Sequence, residues 1–219
     1  MVDVTVIDYG VGNLLSVQRG LEHCGAHVQV TSDPQAILSA ERLVLPGVGA
    51  FRDAMQELEV RGLPAVIRAY AASGKPLLGI CLGMQLLLDE SEEFGLTQGL
   101  GLIPGRVVPV PSRTASGDFL KIPHIGWSAL YPPGEAFSTR ILEGAPPGSA
   151  VYFVHSFMAK TKDPAHHLAQ CVYGGHPVAA VVGSGNVFGC QFHPEKSGEV
   201  GLGILRAFCA LPKSERSAQ

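Results

Sequence analysis

Cys81 sits between two glycines, in Gly79-Ile80-Cys81-Leu82-Gly83, where the apolar run Pro76-Leu77-Leu78 gives way to the helix-like Met84–Glu90. A cysteine on such a strand-to-helix turn reads as a nucleophile elbow. The turn lifts the side chain clear of the sheet, and close backbone approach favours neighbours without a β-carbon. A helix starting just after it supplies unpaired N–H groups and partial positive charge, conditions that favour a thiolate. A cysteine nucleophile needs a base, and the base needs an orienting group. Phe192-His193-Pro194-Glu195, following the apolar run Val187-Phe188-Gly189-Cys190-Gln191, offers both. The pattern predicts Cys81 as nucleophile, His193 as acid/base, and Glu195 as the carboxylate that holds the imidazole tautomer. Attack on an acyl or amide carbon also requires N–H donors for the developing oxyanion. Leu82 can offer one, and Pro46-Gly47-Val48-Gly49 a second from Val48 or Gly49, its glycines making a peptide flip cheap. Each feature alone has a plainer reading: a structural cysteine, a half-buried histidine, an ordinary tight turn. Their co-occurrence favours chemistry.

The elements that must position these groups follow from hydrophobic patterning. Val4–Asp8 reads as a strand, Leu14–Cys24 as a helix and Ala26–Thr31 as a second strand. Asp33-Pro34 opens a short helix to Ala40, and Leu43–Leu45 is a third strand. Helical patterns over Arg52–Glu59 and Leu63–Ser73 lead to the strand before Cys81. This alternation predicts an α/β fold, a parallel sheet with helices on both faces. From about Leu100 the pattern changes to short strands: Val107–Val110, Val151–Phe157, Leu168–Tyr173, Val178–Val182 and Val187–Phe192. These predict an antiparallel or mixed extension of the same sheet. A helix over Val200–Leu211 closes a single domain, residues 1–211, and residues 212–219 read as a polar, frayed tail.

Composition agrees with a compact enzyme: 219 residues, 46% hydrophobic and 16% charged, with 27 glycines. The net charge of −3 leaves no chain-wide basic footprint for nucleic acid. The five cysteines lack zinc or disulfide spacing, the start lacks a signal-peptide pattern, and no apolar run is long enough to span a membrane. The expectation is a cytoplasmic protein with free thiols. Cys171 and Cys190 fall in strand-like apolar runs, Cys24 and Cys209 on helix patterns, and all four read as packing residues. Gly10-Val11-Gly12 imitates a dinucleotide fingerprint, but Leu15 stands where its third glycine belongs. His166-His167 has no partner spacing for a metal. No cofactor or metal is expected.

On these residues, Gly79-Ile80-Cys81-Leu82-Gly83-Met84-Gln85 with a later His193-Pro194-Glu195, the chain resembles the class I (triad-type) glutamine amidotransferases. Further stretches resemble the glutaminase subunits of that family that serve histidine biosynthesis. These are Ile7–Leu14, Leu45–Phe51, Ile122–Trp127, Tyr152–Phe157 and Gln191–Ser197. The resemblance covers nearly the whole chain in order. It implies a single-domain class I glutamine amidotransferase fold, in which a mixed, largely parallel sheet is flanked by helices. It also implies hydrolysis of glutamine to glutamate and ammonia. Gln85 and Glu93 would hold the amino-acid head, and His155, Ser156 and Phe157 would close the pocket. The ammonia would pass through a tunnel to a (β/α)8-barrel cyclase in a heterodimer, with Asn13, Trp127, Tyr152 and Lys196 at the interface. Ser128 stands where the family commonly has asparagine, and Phe157 where it commonly has tyrosine, which implies a slightly weaker interface contact at Ser128. Two rivals share the triad: another amidotransferase glutaminase or free-standing hydrolase, and a binding subunit whose triad is dormant.

Overall fold

The computed structural model describes residues 2–213; the expected tail from residue 214 onward lies outside the described residues. Its first half runs β1 (Val2–Ile7), α1 (Leu14–His23), β2 (Ala26–Thr31), α2 (Pro34–Ser39) and β3 (Leu43–Gly47). It continues through α3 (Phe51–Val60), α4 (Leu63–Ala72), β4 (Leu77–Cys81) and α5 (Leu82–Leu86). The second half contains β5 (Leu88–Ser91), β6 (Thr97–Gln98), β7 (Ile103–Pro109), β8 (His124–Ala129) and β9 (Ala150–His155). After these come β10 (Phe157–Thr161), β11 (His167–Tyr173), β12 (His176–Ser184), β13 (Val187–Cys190), a 3-10 turn at Pro194–Lys196, and α6 (Gly198–Ala210). The short helix opened by Asp33-Pro34 forms because the Asp33 carboxylate accepts the Ala36 N–H at 2.8 Å, with proline in the first turn.

Seven strands make the main sheet, in the order β11-β12-β13-β4-β3-β1-β2. Its β13-β4-β3-β1-β2 portion is parallel, and β11 and β12 extend it antiparallel. Both faces of the parallel portion are covered, so its strands are apolar without a polar phase. Val4, Val6, Val44, Leu78 and Ile80 pack toward α1 and α6, against Val17, Leu21, Ile204, Leu205 and Phe208. Ile7, Leu43, Leu45 and Leu77 pack toward α2, α3 and α4, against Ile37, Leu58, Ile67 and Tyr70. No helix among the described residues is long and apolar enough to cross a membrane.

Three expectations are corrected. The helix predicted over Met84–Glu90 occupies only Leu82–Leu86, and Leu88–Ser91 is a strand. The following segment captures the carbonyls that would have continued the helix: Leu100 N–H donates to Leu86 O at 2.8 Å, and Leu102 and Ile103 N–H to Leu87 O at 2.8 and 3.0 Å. The single strand predicted over Val151–Phe157 is two. β9 pairs with β8, while beyond Ser156 the chain joins β7 as β10. Consequently only β11–β13 extend the main sheet. β10-β7-β5-β6 form a second sheet, and β8-β9 stand as a separate hairpin.

The turn after β4 is the tightest approach in the fold. A β-carbon on Gly83 would lie 1.8 Å from the Leu45 carbonyl oxygen of β3, and one on Gly79 would lie 2.7 Å from the Gly83 backbone. Gly83→Ala is therefore expected to cost more than about 2 kcal/mol in urea unfolding. Gly134→Ala, where a β-carbon meets nothing within 4 Å, is expected to stay within about 0.5 kcal/mol. Equal effects at the two positions would contradict this packing.

Candidate active site

Cys81 ends β4 with φ 56° and ψ −113°, a left-handed φ that a non-glycine residue holds only when its surroundings enforce it. The enforcing contacts are those of Gly79 and Gly83. The Tyr9 hydroxyl adds a tie by donating to Pro46 O at 2.7 Å, fixing the end of β3 beside the elbow. The first amide beyond the nucleophile belongs to Leu82, which opens α5; that helix has five residues, so the partial positive charge comes from a single turn.

His193 reaches the elbow because β13 runs parallel beside β4, with Cys190 opposite Ile80. The chain then leaves both strands at the same end, where parallel sheets place their sites. The His193 backbone N–H donates to Tyr152 O at 3.0 Å, and its carbonyl accepts from Ser197 Oγ at 2.6 Å. Ser197 Oγ in turn accepts from Tyr152 N–H at 2.9 Å, so β9 clamps the histidine loop. His193 Nδ1 lies 2.8 Å from Glu195 Oε1, with the carboxylate side chain 1% exposed. The Nδ1–H donates to this carboxylate, leaving Nε2 buried without a hydrogen-bond partner among the described residues. Burial opposes charge on His193, but neighbouring Cys81 and Glu195 outweigh it and lift its pKa to about 9.

A cavity of about 330 Å³ opens at the elbow, lined by Cys81, Leu82, Val48, Gly49 and His193 together with Gln85, Glu93, His155, Ser156 and Phe157. The expected nucleophile, base, oxyanion donors and pocket residues thus share one cavity, with Glu195 behind His193. Both Nε2 hydrogens of Gln85 are used, on Phe157 O and on Gln191 Oε1, each at 3.0 Å. Among the described residues the Gln85 Oε1 has no partner and is not a buried atom, so it can accept a ligand's N–H. Glu93 Oε2 accepts the Phe51 N–H at 2.7 Å, which places a buried carboxylate at the start of α3.

Sequence reasoning missed Gln191. It follows Cys190, is fully buried, and directs Nε2 toward Cys81 Sγ at 4.0 Å. A glutamine closing an apolar strand two residues before His193 was the available signal, since a buried amide there needs partners. The other four thiols are held protonated by burial: Cys171 is pushed up to about 12, Cys209 to about 11, and Cys190 and Cys24 are also raised. All five cysteines are free. Among the described residues no cluster of His, Cys, Asp and Glu could hold a metal ion; His166 ends a 3-10 turn over Pro164–His166 and His167 opens β11.

The four expected interface residues do not line the cavity. Trp127 and Tyr152 face each other across the β8–β9 hairpin, ring centroids 6.0 Å apart, with Trp127 58% exposed. Lys196 is exposed on the 3-10 turn that β9 clamps. Asn13 caps α1 by accepting the Ser16 N–H at 3.3 Å. Ser128 is directed at His124, 2.9 Å away, rather than simply offered outward.

The family model described as glutamine amidotransferase class-I matches residues 5–210. Imidazole glycerol phosphate synthase subunit HisH 1 of Legionella pneumophila (strain Lens) is 53% identical over 213 residues, 96% of this chain and 100% of that protein. The HisH subunit of Methanosarcina barkeri is 50% identical, covering 94% of this chain and 96% of that protein. Among solved structures, PurLQS from Thermotoga maritima superposes with a TM-score of 0.69 at 23% identity, covering 95% of this chain and 98% of that one. A glutamine amidotransferase from the same organism gives 0.65 at 15% identity, over 94% and 96% of the two chains. These structural likenesses carry the fold. With the family model spanning nearly the whole chain and relatives half identical end to end, the chain belongs to the class I glutamine amidotransferases and, within them, to the HisH subunits of imidazole glycerol phosphate synthase.

Proposed function

We propose that this chain hydrolyses glutamine to glutamate and ammonia at the Cys81 elbow and hands the ammonia to a cyclase subunit. The observation that carries the reading is the cavity in which Cys81, His193 and the unpartnered Gln85 Oε1 meet. Glutamine enters with its α-ammonium toward Gln85 and Glu93, and its side-chain amide toward Cys81. His193 already carries a proton on Nε2, and the Cys81 sulfur attacks the amide carbon. The C=O electron pair becomes an oxyanion, which accepts from the Leu82 N–H and from Val48 or Gly49. His193 then gives its proton to the departing nitrogen, the C–N bond breaks, and ammonia leaves a γ-glutamyl thioester on Cys81. Water, deprotonated by the now neutral His193, attacks the thioester; the C–S bond breaks, glutamate leaves, and Cys81 beside a protonated His193 is restored. Glu195 keeps the histidine in the tautomer that these transfers require.

Ammonia released into water becomes ammonium, which is not nucleophilic, so a closed route to a second active site is chemically required. The family reading makes that partner a (β/α)8-barrel cyclase forming imidazole glycerol phosphate and AICAR from PRFAR, in a cytoplasmic heterodimer without a cofactor in this chain. Trp127, Tyr152, Lys196 and Asn13 are the face proposed to meet it. Support comes from the exposure of Trp127 and from a lysine with no ion pair among the described residues.

Cys81→Ala is expected to reduce glutamine-dependent synthesis by the complex more than about a thousandfold while ammonia-dependent synthesis persists. Glutaminase activity is expected to be weak in the isolated chain and strongly stimulated by cyclase with its nucleotide ligand. Residual glutaminase activity in Cys81→Ala would refute the nucleophile, and full activity in the isolated chain would refute coupling.

The folded-state pKa of His193, about 9, lies above its ordinary 6.5. Its protonation therefore stabilises the fold fully below about 6.5, and that contribution disappears as pH rises through 9. In urea titrations, the stability advantage of the wild type over His193→Gln is expected to shrink between pH 6.5 and 9. A gap that stays flat or widens would contradict a paired imidazolium.

A further inference from the structure

We infer that His124 is a positioning residue for the glutamine pocket: through His155 it fixes the Phe157 carbonyl on which the Gln85 amide is oriented. The inference deepens the glutamine reading above and rests on it. His124 and His155 stand directly opposite each other in the β8–β9 hairpin. His124 Nδ1 lies 3.0 Å from His155 Nε2, and His155 Nδ1 lies 2.9 Å from Phe157 O. Phe157 O also receives the Gln85 Nε2–H at 3.0 Å. At the other end, His124 Nε2 lies 2.9 Å from Ser128 Oγ.

Only one proton arrangement satisfies this row when both rings are neutral. A carbonyl oxygen can only accept, so His155 Nδ1 carries hydrogen and donates to Phe157 O. The Nε2 atom of His155 is then bare and must accept, so His124 donates from Nδ1. The remaining nitrogen of His124 accepts, and the Ser128 hydroxyl donates. Both rings are buried, His124 at 2% and His155 at 6% exposure, and burial lowers both pKa values, that of His155 to about 4. His124 is further held by stacking on Tyr173, 3.9 Å between centroids, and on Phe153 at 4.9 Å. His155 and Phe157 both line the cavity, whereas His124 does not. Its effect on substrate is therefore indirect. The Phe157 carbonyl sets the His155 tautomer, and His124, by donating to His155 Nε2, holds the ring at the angle that keeps its Nδ1–H on Phe157 O, the atom that seats Gln85.

Two measurements test this. In the wild-type chain, histidine 15N–1H correlation spectra are expected to report Nδ1–H neutral tautomers for both His124 and His155. An Nε2–H tautomer at either would overturn the inference, and this reading holds whatever the chain's activity. In the complex with cyclase, His124→Phe keeps an aromatic ring but removes both hydrogen bonds. It is expected to raise KM for glutamine about tenfold with kcat within about threefold. His124→Asn, whose amide can donate near the Nδ1 position, is expected to restore KM to within about threefold of wild type. An unchanged KM in His124→Phe, or kcat and KM shifting together without rescue by asparagine, would overturn it.

Discussion

One backbone collision governs the site: the first turn after Cys81 can pack against β3 only if Gly83 has no side chain, because a β-carbon would stand 1.8 Å from Leu45 O. With that contact made, β4 cannot run straight into α5, and the reversal falls on Cys81, whose φ of 56° is the result. Backbone strain of this kind costs on the order of 1–3 kcal/mol and survives only where packing over-determines it. Here the packing is the buried core on both faces of β3 and β4. The strain thus links core assembly to the placement of one buried sulfur in the wall of the cavity.

Parallel register completes the site without long-range coincidence. β3, β4 and β13 lie side by side, so Val48, Cys81 and His193 all emerge beyond the same edge of the sheet. Polar groups arriving at this edge are buried and must be paired, since an unsatisfied buried donor or acceptor costs about 1–3 kcal/mol. Most are: Gln85 to Gln191 and Phe157 O, Glu93 to Phe51 N, and His155 to His124. The exceptions are His193 Nε2 and Glu195 Oε2, both buried and without a partner among the described residues. The unpartnered His193 Nε2, in an otherwise satisfied surround, marks where a proton is to move, while Glu195 acts through its other oxygen on Nδ1.

Legibility in the sequence followed locality. The elbow was readable because two glycines flank one cysteine, and the histidine–carboxylate pair because only Pro194 separates its members. The parallel sheet was readable from alternation of apolar strands and amphipathic helices. Features set by partners distant in sequence were not. The helix after Cys81 stops at Leu86 because residues 100–103 take its carbonyls, a competition invisible in the local pattern. Val151–Phe157 is uniformly strand-like, yet it divides at Ser156 because its two halves pair with different strands. Gln191 and His124 acquire roles only through register: one beside Cys81, the other across a hairpin from His155, 31 residues away. Ser128 read as a weakened surface contact, whereas its hydroxyl ends a buried polar row.

The central claim is that backbone geometry singles out Cys81, among five free thiols, as the nucleophile toward glutamine. Peptide mass spectrometry after treating the complex with a glutamine-shaped chloroketone tests it most directly. The expected result is one covalent label per chain, on Cys81 alone, with labelling suppressed by glutamine. A label on Cys24, Cys171, Cys190 or Cys209, or labelling of Cys81 that glutamine does not suppress, would contradict it.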